Sequence, residues 1–422
     1  MTRFTQFAIA AAAAVIFVGC GGAAGVGPLA PNAGGAPNAG RVAAPDLTTR
    51  RGEFPPTPAG IHLNLVFNYH VKNLQSEVGV VDVVWGSRSP DPKQVYNQSY
   101  TTFERDDPYG SLHSLAWWKQ HHPDWIEYRC DRHVAFEFGE PNVPFDIANP
   151  DVLAYQRRSA VDPALAAGYG GIDFDNLELG NYWHRCGHYN ASGQWVHQYS
   201  GKDVDPRYTK AVLAWAAGTF AYLHSHSQTA TMAINFSYDS NFSTVDNHTL
   251  ATRTDEVLDE GGFTNYGTKG QNVADSQEWH HIVGLIHAVQ AHKGCYMENG
   301  EEPGLSKNIT QAERLWVVAN YLLTRDDCTY VWMSGFTRSG AQDYGRILLY
   351  PEYKLAIGTP TGAAQGVYDA WERAYSGGLA LANPSGYTVR VPLHHQYVDE
   401  NGKTYSHSIA LPAGTGQILL LQ

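Results

Sequence analysis

Between residues 61 and 334 short apolar runs alternate with longer amphipathic ones, and few folds accommodate that rhythm over so long a stretch. Eight runs read as strands: 61–69 (IHLNLVFNY), 80–85 (VVDVVW), 125–130 (WIEYRC), 171–176 (GIDFDN), 230–236 (ATMAINF), 256–263, 294–298 and 329–334. Helix signals fall between them. Residues 107–121 carry Leu112, Leu115 and Trp118 on one face. Asn149 and Pro150 form an N-cap and first-turn proline for a helix that runs to about Ala167 and stops at Gly168. Further helices are expected at 206–226, 276–292 and 310–324. Strands joined mostly by helices predict an α/β fold, a closed (β/α)8 TIM barrel over residues 60–350 rather than an open sheet. Only about ten residues part the first two strands, so the first helix is expected to be short or missing. After Tyr350 the pattern changes. Runs at 378–382, 388–392, 405–411 and 417–421, divided by Asn383-Pro384, Asn401-Gly402 and Pro412-Ala413-Gly414, predict a small C-terminal antiparallel β domain over 351–422.

The N-terminus reads as an export signal. Arg3 precedes the apolar run 7–18 (FAIAAAAAVIFV), followed by Gly19-Cys20, and the run is too short to span a bilayer comfortably. Residues 1–20 are therefore expected to be a lipoprotein-type signal peptide with Cys20 as the lipidated first residue, simple secretion being the alternative. Residues 21–59, rich in Ala, Gly and Pro, predict a flexible tether between a cell-envelope membrane and the folded part. The net charge of −12 argues against nucleic acid or an anionic membrane surface as the main partner. Four further cysteines fit two disulfides in an oxidising compartment. In the barrel reading Cys130 ends the third strand and Cys186 follows the fourth, while Cys295 and Cys328 open the seventh and eighth. Neighbouring strands lie about 4.8 Å apart, so the pairs Cys130–Cys186 and Cys295–Cys328 satisfy bridge geometry.

Strand C-terminal ends of such a barrel face the active site. The fourth offers Asp173 and Asp175, the sixth Asp259 and Glu260, and the seventh Glu298 and Asn299. Asn68 and His70 come from the first, Arg129 and Asp131 from the third, and Asn235 from the fifth. The ring is rich in carboxylates and poor in cations. Acetal hydrolysis needs one carboxylic acid for the leaving oxygen and one carboxylate as nucleophile or base, about 5–5.5 Å apart for retention and about 6.5–9.5 Å for inversion. Trp183 and Trp195, after the fourth strand, are candidate sugar platforms, whereas Trp117 and Trp118 read as core. Histidines cluster at 121–122, 224/226, 280–281 and 394–395, but a barrel metallohydrolase would show His-x-His at the end of its first strand, where Phe67-Asn68-Tyr69-His70 does not, and no Gly-x-Ser-x-Gly elbow or phosphate loop is present. No metal and no cofactor is expected.

The run His122-Pro123-Asp124-Trp125-Ile126-Glu127-Tyr128-Arg129-Cys130-Asp131, the run 143–150 (VPFDIANP) and the run 168–176 (GYGGIDFDN) together resemble a family of glycoside hydrolases with a barrel fold. The segment 375–384 (YSGGLALANP) is similar to that family's closing β segment. More distantly the layout resembles the α-galactosidase clan and the endo-α-1,4-polygalactosaminidases. The resemblance implies a carbohydrate substrate, Asp175 as nucleophile or base, and a strand-six acid as proton donor: Glu260, with Asp259 as the neighbouring choice. Gly170 stands where the family has Asp, and Asp173 where it has an apolar residue, so Asp173 is expected to touch substrate or to perturb Asp175. Asp259, Asn68, Asp131, Asn235, Glu298 and Trp183 complete the expected substrate-binding set. Two other outcomes stay open: a glycan-binding lipoprotein without catalysis, and a barrel hydrolase of another class such as a metal-dependent deacetylase.

Overall fold

The computed structural model describes residues 61–67, 80–87, 96–102, 113–137, 143–264, 276–336 and 343–422, all within one unit spanning 44–422. Strands β1 (Asn64–Val66), β2 (Val83–Ser87) and β3 (Tyr96–Thr102) come first, then α1 (Leu115–His121), β4 (Tyr128–Arg129), α2 (Pro150–Gln156) and α3 (Asp162–Ala167). There follow β5 (Gly171–Asp175), β6 (Arg185–Tyr189), β7 (Trp195–His197), α4 (Pro206–His226), β8 (Thr231–Asn235), α5 (Thr244–Ala251) and β9 (Glu256–Asp259). Next are α6 (Ser276–Ala291), β10 (Cys295–Pro303), α7 (Gln311–Thr324) and β11 (Thr329–Phe336).

Eight strands form one parallel sheet in the order β1-β2-β3-β5-β8-β9-β10-β11. Beyond the strands themselves, Leu63 and Val331 form an isolated parallel bridge, and the Val331 N–H donates to the His62 carbonyl at 3.0 Å. Along each strand side chains alternate. Ile172, Phe174, Ile234 and Val257 belong to the large outer core shared with the helices. Val66, Ala233, Leu258 and Met297 pack with Phe67, Trp85 and Tyr344 in a smaller cluster on the opposite face. The start signal at Asn149-Pro150 is used as read, the Asn149 side chain accepting the Asp151 N–H at 2.9 Å. Asp205 caps α4 ahead of Pro206, and Thr310 and Glu313 form a capping box on α7.

The third strand is a correction. Residues 125–130 do not enter the main sheet; β3 takes that place. Pro123–Trp125 is a turn of 3-10 helix, and β4 pairs antiparallel with β6, which pairs with β7. The apolar residues of this segment serve a satellite core of Trp118, Trp125, Ile126, Tyr128, Val143, Phe145 and Val152. The helix expected over 150–167 forms, with a π-helical stretch, Arg157–Val161, in its middle, and ends at Gly168 in the left-handed region (φ 82°). The seventh strand runs on to Pro303, well past Glu298.

Both disulfides form as paired in the sequence reading. Cys295 and Cys328 tie β10 to the entry of β11, with Cα atoms 4.7 Å apart. Cys130 and Cys186, 5.0 Å apart, join the residue after β4 to β6 of the satellite sheet rather than strands of the parallel sheet.

The C-terminal segment is antiparallel, as expected. It adds β12 (Gln365–Val367), β13 (Ala370–Tyr375), β14 (Gly378–Asn383), β15 (Val389–Pro392), β16 (Tyr397–Val398), β17 (Thr404–Tyr405), β18 (Ser408–Leu411) and β19 (Thr415–Leu421). They form a six-stranded sheet, β12-β13-β14-β19-β16-β17, and a β15-β18 pair. α7 packs directly on β14 and β19. The approach is close at Gly416, where a Cβ would stand 2.6 Å from the Leu315 carbonyl oxygen.

Candidate active site

The parallel register brings the C-terminal ends of β5, β8 and β9 side by side: Phe174 lies opposite Ile234, and Asn235 opposite Leu258. Alternation then turns Asp175, Asn235 and Glu260 to the same side. The Asn235 side-chain amide joins them, its Nδ2 donating to Asp175 Oδ1 at 2.9 Å and to Glu260 Oε2 at 2.8 Å. An amide nitrogen presents two hydrogens about 120° apart, so the two acceptor oxygens lie roughly 5 Å from one another. Asp175 Oδ1 also accepts the N–H of Asn176 at 3.0 Å. Asn176 sits at φ 60°, a conformation asparagine tolerates better than most residues. Glu260 Oε1 accepts from the phenol of Tyr344, which also contacts Glu301 Oε1.

The site opens into a cleft of about 400 Å³ whose lining includes Asn176, Tyr182, Asn235, Tyr238, Asp239 and Glu260. The Tyr182 hydroxyl donates to Asp239, and the Tyr238 ring stacks on His281 with centroids 4.5 Å apart. Burial, and after it the neighbouring Asp175 charge, pushes Glu260 up to about 7, against the pull of its hydrogen bonds from Tyr344 and Asn235. Two carboxyl groups, one of them raised by its surroundings, therefore share one amide.

No family model and no curated protein matches the chain. Among solved structures it is similar to a noncanonic maltogenic α-amylase, AmyB, from Thermotoga neapolitana (10% identity, 86% of this chain and 98% of that one, TM-score 0.48). It is also similar to Eubacterium rectale Amy13B (10% identity, 90% and 99% covered, TM-score 0.49). A third is the glycoside hydrolase domain of PelA from Pseudomonas aeruginosa (13% identity, 67% and 96% covered, TM-score 0.41). Likeness at this level carries no argument about activity, which has to come from the site's own geometry.

Several expected site residues lie elsewhere. Asp173 is fully buried (0% exposed), one pleat below Asp175, where its Oδ2 accepts the Gly86 N–H at 2.7 Å; it does not reach the cleft. Asp259 and Glu298 alternate onto the face away from Glu260. Asp259 accepts from Ser237 Oγ at 2.6 Å, from the Gly262 N–H at 2.9 Å and from the Tyr296 hydroxyl, and burial raises its pKa. Glu298 packs under Gly262, where a Cβ would meet its Cγ at 2.9 Å, and burial followed by the Asp259 charge holds it well above the usual carboxylate range. Asp131 is exposed beside β4 and binds His133, because its segment belongs to the satellite sheet. From the loop after β5, Tyr182 rather than Trp183 lines the cleft. Trp195 is covered by Arg132, whose guanidinium lies 3.4 Å from the ring centroid. Trp117 stacks between His113 and His121. Asn68, His70 and Cys20 lie outside the described residues.

Two residues of the site, Glu301 and Tyr344, were not anticipated. Among the described residues one group of donors could share a metal ion: Glu127, Asp146 and His188, with donor atoms within 4.8 Å of one another. It lies by the satellite sheet, with Glu127 just ahead of β4 and His188 on β6, and not with the Asp175–Glu260 pair. Asp146 already accepts from Gln198 at 2.9 Å and lies 3.5 Å from His188.

Proposed function

We propose that the protein is a glycoside hydrolase working with retention from a closed (β/α)8 barrel, Asp175 as nucleophile and Glu260 as acid/base. The observation that carries the reading is the single amide of Asn235 bonded to both carboxylates. It implies a spacing of roughly 5 Å, short of the gap an inverting enzyme leaves for water. A second support is the unequal environment of the pair, since a Glu260 pushed up to about 7 keeps its proton at mildly acidic pH. In the first step Glu260 gives that proton to the glycosidic oxygen while Asp175 attacks the anomeric carbon, and a glycosyl ester forms. In the second, ionised Glu260 takes a proton from water, which displaces Asp175 and frees the sugar. A cleft of about 400 Å³ with tyrosines on its wall suits a sugar ring, whose C–H face packs on an aromatic face.

A panel of aryl glycosides and polysaccharides with product analysis identifies the substrate. On that substrate Asp175→Asn is expected to lower kcat by about 10³-fold or more with the circular dichroism spectrum unchanged. Azide should rescue Asp175→Gly and yield a glycosyl azide of inverted configuration. Wild-type turnover by Asp175→Asn would remove the assignment, and an inverted product from the unaltered enzyme would remove the retaining mechanism. The reading includes export and lipid anchoring at Cys20. Cys20→Ala should move the protein from the membrane fraction to the soluble one, and an unchanged membrane fraction would contradict the anchor.

A further inference from the structure

One phenol touches two carboxylates beneath the cleft. Tyr344 is 2% exposed, and its Oη is within hydrogen-bonding reach of both Glu260 Oε1 and Glu301 Oε1. A phenol carries one hydrogen, so it donates to one of these oxygens and must accept from the other. An ionised carboxylate has no hydrogen to give. The trio therefore holds a proton beyond the phenol's own, on Glu260 or on Glu301.

The surroundings say which. Glu260 is half-buried at the cleft, and its second oxygen already accepts from Asn235. Glu301 is 1% exposed, on the stretch of β10 beyond Asn299, opposite Ser334 of β11. Its own N–H donates to Thr264 Oγ1 at 2.9 Å. The Tyr344 ring between them is packed among Val66, Phe67, Trp85, Leu258 and Met297. The groups facing this pair are acidic or neutral: Asp175 from β5, Asn235 from β8, Asp259 beside Glu260, and Tyr344 itself. A second negative charge at Glu301 would face Glu260 from an apolar setting, the costlier of the two placements.

We propose that Glu301 is a permanently neutral carboxylic acid that donates to Tyr344 Oη, so that Tyr344 always donates to Glu260 and the hydrogen of Glu260 is left facing the cleft. Glu301 and Tyr344 are then positioning residues, and no proton leaves Glu301 during turnover. With the phenol's acceptor side occupied, Glu260 cannot park its proton on Tyr344. After Glu260 has ionised, the same phenol hydrogen steadies the carboxylate until it accepts a proton from water. Burial, and next to it the Glu260 charge, holds the Glu301 carboxyl well above the usual range, in keeping with this arrangement.

The catalytic consequence rests on the glycosidase reading; the protonation state of Glu301 does not, and two readouts separate them. Infrared difference spectra of resting protein, wild type against Glu301→Gln at about pH 8, should show one carboxylic-acid C=O band lost in the variant. A lost carboxylate band instead overturns the proposal whether or not any glycoside is cleaved. In pH–rate profiles Glu301→Gln, which keeps a neutral donor, should leave the alkaline limb of kcat/KM in place. Tyr344→Phe should move that limb upward by about one unit, because the ionised Glu260 loses a donor. An alkaline limb that drops by a unit in Glu301→Gln would mean a charge had been removed, and would also overturn it.

Discussion

At the scale of single residues the site turns on Asn235, whose two amide hydrogens are both committed to carboxylates. Each bond favours the ionised form of its acceptor, so the amide offsets part of the rise that burial and Asp175 impose on Glu260. Asn235→Ala is expected to move the alkaline limb of kcat/KM to higher pH and to lower kcat by about 10–100-fold. Asn235→Asp adds a third negative charge and offers no donor, so its loss should exceed that of the alanine variant. Profiles between about pH 5 and 9 check both, and an unmoved limb in Asn235→Ala would mean the amide does not tune the pair. Asp175, Asn235 and Glu260, which share hydrogen bonds in the structure, could be picked from the sequence because each lies toward the C-terminal part of a run read as a strand. Glu301 could not. The run Glu298-Asn299-Gly300-Glu301-Glu302 reads as chain leaving the sheet for solvent, whereas the strand continues and buries those glutamates. Tyr344 lies beyond the last strand of the sheet, and nothing local distinguishes it from the other tyrosines.

At the scale of elements, apolar content was a good guide to which segments are buried and a poor guide to which sheet they join. The run WIEYRC is as apolar as a strand of the parallel sheet, yet it feeds the satellite core. The segment YNQSYTT, without one aliphatic residue, fills the third place in the parallel sheet. A strand there is held by backbone pairing to neighbours on both sides, and that pairing leaves no trace in hydrophobic periodicity. The Cys130–Cys186 pairing holds although the segment joins another sheet, because β4 pairs with β6 and so brings Cys130, just past β4, beside Cys186. The C-terminal strands do more for the helix beside them than turn signals could disclose. Arg373 of β13 donates through Nη1 to the carbonyls of Leu322 (3.1 Å) and Arg325 (2.7 Å), and the Tyr375 hydroxyl donates to Leu322 at 2.6 Å. The last carbonyls of a helix have no partner within it, so these side chains cap α7 from another sheet. Arg373→Ala should cost about 1.5–3 kcal/mol in urea unfolding with kcat unchanged, and a midpoint equal to wild type would show the cap to be dispensable.

Over the whole molecule the unusual feature is the number of acids the fold buries at one end of its parallel sheet. Asp259, Glu298, Glu301 and Glu302 are all buried, and burial raises each of them. Glu302 is pushed up to about 8, by burial first and by the Glu313 charge second, and Glu260 to about 7. A carboxyl whose folded-state pKa is raised binds its proton more tightly in the native chain than in the unfolded one. Its contribution is fully present below the unfolded value, about 4.3 for glutamate, and is lost as pH rises through the folded value. A few acids act in the opposite sense. Asp205, despite its burial, is held low by the N–H groups of Ser200, Arg207 and Tyr208, and Asp343, likewise against burial, by Arg346 and Ser306. Stability from these two is lost only as pH falls through their depressed values, below about pH 4. Together the two sets place the stability maximum on the acid side of neutrality, and Tm should fall by several degrees between about pH 5 and pH 8. Glu302→Gln removes a group whose titration window reaches about pH 8, keeps its shape and does not touch the Asp175–Glu260 pair. It should raise Tm at about pH 8, change it little at about pH 5, and so flatten the slope between them. Thermal unfolding of both proteins across that range decides the matter: a wild-type Tm that holds level or climbs toward pH 8, or a variant with the wild-type slope, would mean that these buried acids ionise without cost to the fold.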